Sequence, residues 1–118
     1  MDLIKLFQLL LDLTIFDGDT SRLANASNAA VTITLPASPK KRWHIGRVVV
    51  GYSAAPTAGL LSVYENANPL FRVPVTAAGP TPVEVFRRGA AGNLMTVVLS
   101  AGGSGIVGYV NVEAVARP

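Results

Sequence analysis

The feature that most constrains the fold is a series of short β-patterned runs separated by clusters of Pro, Gly and Asn. In the first clear run, Val31, Ile33 and Leu35 alternate with Thr32 and Thr34, which is the period of two expected for a half-buried strand. From there to the end of the chain, turn signals recur about every eight to twelve residues, a spacing typical of antiparallel sandwiches and barrels. No long helical pattern interrupts this series.

The longest run, RWHIGRVVVGYS, predicts a central strand because it is rich in β-branched and aromatic residues. Gly46 and Gly51 are expected at bulges or bends of this strand. Asn66 and Asn68 then predict a hairpin-like connection into a run that contains Pro74. Because proline cannot donate to a ladder, that run is expected at a sheet edge or a bulge. In order, the runs are AVTITLP, RWHIGRVVVGYS, GLLSVYE, LFRVPV, VEVF, NLMTVVLS and GIVGYVNVEAV.

The N-terminal segment is ambiguous between helix and strand. Its apolar residues fit helical spacing in one register, and Leu9, Leu11, Leu13 and Ile15 alternate as a strand would in another. We expect a short helix or irregular arm through about Leu9, then a first strand, a turn at Asp17-Gly18-Asp19, and the loop DGDTSRLANASN. The apolar residues of the arm cover either the domain's own core or a subunit or partner contact, and are Leu3, Leu6, Phe7, Leu10 and Leu13.

Length and strand count define the fold expectation. A chain of 118 residues is the usual size of one domain. We therefore predict a 1–16 apolar arm with a possible first strand, and a single all-β domain over 17–118. Eight strands, counting the possible first one, favour an antiparallel jelly-roll-like sandwich, with an immunoglobulin-like sandwich as the alternative.

The chain offers little of what catalysis or metal binding requires. It has no cysteine and one histidine, His44 beside Trp43, so a thiolate or multi-histidine metal site and a hydrolytic triad are disfavoured. Its seven carboxylates show no paired arrangement that would raise a pKa. We predict a protein that is not an enzyme and that uses no metal or cofactor.

Neither the charge nor the aromatic residues of the chain favour a nucleic-acid or sugar ligand. The formal charge of +3 is small for a nucleic-acid-binding domain, so no nucleic-acid partner is expected. The basic runs at residues 40–42 and 87–88 are interpreted as solvated positions rather than phosphate sites. Core packing is favoured over a sugar-stacking platform for the aromatic residues, which are Trp43, Tyr52, Tyr64 and Tyr109.

The first sixteen residues raise the question of a membrane or export segment. Asp2 stands where a signal peptide would carry basic residues, and Lys5 and Asp12 interrupt the apolar run. The run is also shorter than the roughly 20 apolar residues of a spanning helix. We therefore expect no membrane partner.

The stretch from Arg42 to Val112 resembles a group of small structural proteins of tailed phages. The resemblance is carried by the order of several turns: YSAAPT before GLL, then AAGP, RGAAG and the glycine-rich AGGSG. It implies a jelly-roll-like virion protein, such as a capsid decoration or cement protein, and it transfers no catalytic residue. The leucine-rich arm and the loop DGDTSRLANASN depart from the resemblance.

The hypothesis from sequence is therefore a non-enzymatic phage virion structural protein that decorates or cements the capsid surface. Its partners would be the major capsid protein or another virion protein. A homotrimer would suit threefold positions of a capsid, with the five apolar arm residues as a partner or self-assembly interface. The alternatives are a carbohydrate-binding module and a tail- or baseplate-associated sandwich.

Overall fold

The computed structural model describes residues 19–118, which form eight β-strands. Each strand after the first coincides with one of the runs read from the sequence, with small differences at the ends. The strands are β1 Asp19–Ser27, β2 Val31–Leu35, β3 Arg42–Tyr52, β4 Gly59–Glu65, β5 Asn68–Val75, β6 Thr81–Arg88, β7 Met95–Leu99 and β8 Val107–Arg117.

The strands form two four-stranded antiparallel sheets. Sheet A has the order β1-β8-β3-β6 and sheet B has the order β2-β7-β4-β5. The chain passes from one sheet to the other at every connection except the β4–β5 hairpin, and this connectivity is that of a jelly roll. The fold class predicted from the sequence is confirmed.

The core lies between the two sheets and follows the alternation of the strands. In β2, Val31, Ile33 and Leu35 are buried and the two threonines between them are exposed. Val48 and Val50 of β3 face Val97 and Leu99 of β7 across the same core, all with no exposed surface. Burial of each such aliphatic side chain contributes about 1.5–3 kcal/mol to folding.

Two aromatic residues of β3 are buried in this core, as the sequence predicts. Trp43 is 6% exposed and its Nε1 donates a hydrogen bond to the Pro36 carbonyl oxygen at 2.7 Å. Tyr52 is 1% exposed and its hydroxyl donates to the Ser100 carbonyl oxygen, also at 2.7 Å. Each polar atom therefore has a partner, which removes the penalty for burying it.

The prediction of a loop over DGDTSRLANASN was wrong. Residues Asp19–Ser27 form β1, which pairs with β8 from Asp19 opposite Val115 to Ser27 opposite Val107. The strand has little apolar alternation because its inward positions near the end are the small residues Ala24 and Ala26. β1 is instead stabilised by backbone pairing with the long strand β8. The predicted turn at Asp17-Gly18-Asp19 is wrong for Asp19, because this residue is the first of β1.

The other connections agree with the sequence. β3 is central in sheet A, between β8 and β6, and β5 is an edge strand of sheet B. The β4–β5 hairpin turns at Asn66 and Ala67, and the register shifts between Val63 and Tyr64. The predicted arm and possible first strand over 1–16, as well as Asp17 and Gly18, lie outside the described residues.

Within the residues that the structure describes, no helix is long and apolar enough to cross a membrane.

Candidate interaction surface

The outer face of sheet B is nearly uncharged. Strand register places residues of all four strands side by side on this face. Among the described residues, Arg72 is the one charged side chain there. The face otherwise presents hydroxyl-bearing, aliphatic and proline side chains: Thr32, Thr34, Thr96, Val98, Leu60 and Pro74.

Arg72 itself is packed against a neighbouring tyrosine. Its Nη2 donates to the Tyr64 hydroxyl at 3.3 Å, and its guanidinium carbon lies 5.7 Å from the centre of the Tyr64 ring. Hydrogen bonds from Arg72 and from the Ser62 side chain lower the pKa of Tyr64. The single cation of this face therefore lies against the sheet, where it interacts with a ring.

The outer face of sheet A carries a basic cluster, defined here as Arg42, His44, Arg88 and Arg117. Arg88 of β6 lies opposite His44 of β3, and Arg117 of β8 lies opposite Arg42. Lys40 and Lys41 are exposed in the turn that precedes β3, as predicted, but Arg42 is already part of the strand. Strand pairing thus joins two basic runs that are far apart in sequence.

The cluster acts on the protonation of His44. The half-buried imidazole has its pKa lowered from 6.5, first by desolvation and then by the positive charges of Arg88, Arg42 and Arg117. In the sequence, His44 has only Trp43 as a notable neighbour, and this favours a structural role for the histidine. The pairing partners on β6 and β8 were not readable from local sequence.

Phe86 lies beside this cluster on a bulge of β6. Between the pairs Arg47–Glu84 and Ile45–Arg87 the register shifts, so that β6 has one residue more than β3. The side chain of Phe86 is 63% exposed and its backbone φ is +44°. A Cβ placed on Gly46, opposite the bulge, would lie 4.0 Å from Phe86 Cε1, which places the ring over the outer face.

Arg87 stabilises the backbone of the bulge. Its Nη1 donates to the carbonyl oxygens of Val85 at 3.1 Å and Phe86 at 3.4 Å. Its guanidinium carbon also lies 5.3 Å from the centre of the Phe71 ring on β5. Arg87 therefore bridges the open edge between the two sheets, and is not simply a solvated residue.

An exposed ion pair borders Phe86 on the side away from the basic cluster. Arg47 Nη2 and Glu84 Oε1 are 3.1 Å apart, with both side chains more than half exposed. Such pairs contribute little to stability, about 0–1 kcal/mol. Their main effect here is that Glu84 neutralises Arg47, so the net positive charge is concentrated at the His44 side of Phe86.

Glu65, at the end of β4, holds a loop in place. Its Oε2 accepts hydrogen bonds from the Ala90 backbone N–H and from Asn93 Nδ2. These bonds lower the pKa of Glu65, with the bond from Ala90 contributing most. The carboxylate thus orders the loop between β6 and β7, and it forms no carboxylate pair.

The four aromatic residues that could have formed a sugar-stacking platform do not lie on one surface. Trp43 and Tyr52 are buried, while Tyr64 and Tyr109 lie on the outer faces of opposite sheets. No group of three or more His, Asp or Glu residues that could hold a metal ion occurs within residues 19–118. The predicted interface residues Leu3, Leu6, Phe7, Leu10 and Leu13 lie outside the described part of the chain.

Sequence signals for the surface around Phe86 were weak. An aromatic residue followed by two arginines is visible in VEVFRRG, but alternation places Phe86 only on the face opposite Val83 and Val85. The bulge and the proximity to His44 depend on the pairing of β6 with β3.

Comparison with protein-family models and with curated protein sequences finds no match. Solved structures with a similar arrangement include the nucleoplasmin-like N-terminal domain of Drosophila FKBP39, at 10% identity and a TM-score of 0.48, covering 86% of this chain and 92% of that one. A carbohydrate-binding module, CBM36, in complex with calcium and xylotriose has 13% identity and a TM-score of 0.45, covering 80% of this chain and 78% of that one.

Viral coat proteins are also among the similar structures. The coat protein of Tobacco streak virus has 12% identity and a TM-score of 0.35, covering 90% of this chain and 91% of that one. These likenesses join proteins with different functions, and at such identities they concern the fold alone.

Proposed function

We propose that the protein is a non-enzymatic structural component of a tailed-phage particle that decorates or cements the capsid surface, as a homotrimer. The observation that carries the proposal is the nearly uncharged outer face of sheet B. On that face, the described residues contribute one charge, that of Arg72, and this side chain packs on Tyr64.

The chemistry of this face suits a protein contact. The centre of a protein interface is depleted in charged residues, because removing a charge from water is costly. Threonine, valine, leucine and proline side chains on a regular sheet lose little side-chain entropy when covered. Thr34, Thr96 and Val98 lie together on paired positions of β2 and β7, so this part of the face is continuous.

The resemblance to small phage structural proteins supports the same function. The motifs that carry it are connections between strands of the sandwich: residues 53–58 between β3 and β4, 76–80 between β5 and β6, 89–94 between β6 and β7, and 100–106 between β7 and β8. A decoration protein needs a rigid scaffold with complementary surfaces, and a jelly roll whose connections form backbone hydrogen bonds with one another and with the strands meets that need.

Immunogold electron microscopy tests the proposal. An antibody raised against the purified chain would be applied to particles from cells that express this gene from its native genome. We expect gold on capsid surfaces, and the label should be lost when the antibody is first adsorbed with purified chain. Label on tails or baseplates would instead support the tail-associated alternative, and particles without label would contradict a virion function.

A further inference from the structure

We propose that the outer face of sheet A around Phe86 is a docking surface for an acidic protein surface that contains an apolar pocket. The inference deepens the proposed function, on which it rests for the kind of partner, a protein shell. Phe86 would enter the pocket, and Arg42, His44 and Arg88 of the basic cluster would meet carboxylates around it.

The first argument is the conformation of Phe86. A large non-glycine residue with φ of +44° is strained, and its side chain obtains little burial in return, since it is 63% exposed. Stability of the isolated domain would favour Gly or Asn here. Arg87 holds the strained backbone through two carbonyl oxygens, and strain of this kind is typical of functional positions.

The second argument is the charge next to the ring. On β3 and β6, Arg42, His44 and Arg88 lie in adjacent outward positions. Arg42 Nε is buried without a hydrogen-bond partner among the described residues. Of the nearby carboxylates whose side chains the structure describes, Glu84 pairs with Arg47 and Glu113 lies in the row beyond His44. The carboxylates of a partner would complement the positive charge of this surface.

The arrangement favours a protein over a single-stranded nucleic acid. Sequence-independent binding of single strands uses several aromatic residues along a basic groove, whereas the described outer face of sheet A offers Phe86 and, far along β8, a Tyr109 ring that lies against Gly51. One aromatic anchor with neighbouring arginines instead matches the composition of protein-interface hot spots.

Peptide binding to the full chain tests the inference. Three fluorescent probes of equal net charge would be compared by anisotropy: a Glu/Leu peptide, a Glu/Gly peptide of the same length, and a thymidine oligonucleotide. We expect the Glu/Leu peptide to bind most tightly. Phe86→Asn should weaken its binding about tenfold, which is the loss typical of an interface anchor, and should leave the Glu/Gly peptide unaffected. Arg88→Gln should weaken both peptides and reduce their salt dependence.

The controls separate a lost contact from a lost fold. Asn tolerates positive φ, so Phe86→Asn should not lower the melting temperature, and Arg72→Gln on sheet B should bind like the natural chain. Equal binding of the two peptides, no effect of Phe86→Asn, or Phe86-dependent binding that is tightest for the oligonucleotide would each overturn the inference. These results are independent of immunogold labelling, so either proposal can fail while the other stands.

Discussion

At the scale of single residues, backbone strain distinguishes Phe86 from the rest of the described chain. Asn28, Lys40 and Asn66 also have positive φ, at 48°, 65° and 52°, but they lie outside the strands. Two of them are asparagines, which adopt this conformation more readily than other side chains. Phe86 has the same backbone geometry within β6, where it belongs to a bulge and not to a turn.

The protonation of His44 gives a prediction at this scale. Its pKa is lowered in the folded chain, so the unfolded chain, with a pKa near 6.5, binds the proton more tightly. The free energy of unfolding should therefore be highest above about pH 6.5 and should fall as the pH decreases below that value. His44→Gln should remove this fall, because His44 is the one histidine of the chain.

Urea denaturation of both chains between about pH 7.5 and pH 5.5 measures the difference, since this range brackets the ordinary histidine pKa. The groups that face His44 on neighbouring positions are Arg42, Arg88 and Arg117, with Asp19 at the register position beyond Val115. Identical pH slopes for the two chains would contradict the prediction.

At the scale of elements, Tyr52 joins the two sheets. It ends β3 of sheet A, and its hydroxyl donates to the carbonyl oxygen of Ser100, directly after β7 of sheet B. The Ser100 hydroxyl in turn donates to Ala58 O and accepts from Leu60 N. The glycine at 102 is required by close approach, because a Cβ there would lie 2.7 Å from Tyr52 Cδ1.

Removal of this inter-sheet bond should destabilise the fold. Tyr52→Phe keeps the ring but leaves the Ser100 carbonyl without its donor, and we expect a loss of about 1–2 kcal/mol in the free energy of unfolding. Tyr109→Phe is the matched control, since the Tyr109 ring lies on the outer face across from Gly51. It should cost less than about 0.5 kcal/mol. Chemical denaturation checks both values, and equal losses would show that the hydroxyl of Tyr52 adds nothing.

At the scale of the whole molecule, the sandwich has two outer faces of different chemistry. Sheet B presents a nearly uncharged surface and sheet A presents a basic cluster beside an exposed phenylalanine. A protein in a particle has neighbours on more than one side, so two distinct faces would allow contact with another copy on sheet B and with an acidic partner on sheet A.

The homotrimer and its arm are tested together by light scattering coupled to gel filtration. We expect three times the mass of the chain, because covering the outer face of sheet B removes apolar area from water. Deletion of residues 1–13 should lower the mass and leave the sandwich folded. Val98→Lys, which places a charge on the uncharged face, should also lower it, whereas Thr76→Lys in an exposed loop should not.

A monomeric natural chain at all concentrations would contradict the trimer. A trimer that survives both the deletion and Val98→Lys would contradict the roles given to the arm and to the outer face of sheet B.

The sequence alone determined the strands whose side chains alternate. β2 and β7 have strongly apolar inward positions, and Pro74 predicted an edge strand or a bulge for β5, because these signals depend on neighbouring residues along the chain. β1 was missed since its pairing with β8 depends on the backbone and not on apolar side chains.

Only the tertiary structure decided which residues of different strands are neighbours. Arg42 and Arg88 are remote in sequence, and antiparallel pairing brings both beside His44. The positive φ of Phe86 and its place beside His44 accompany a one-residue register shift between two strands, which local alternation cannot encode. The candidate surface arose from non-local pairing, whereas the fold class followed from local periodicity.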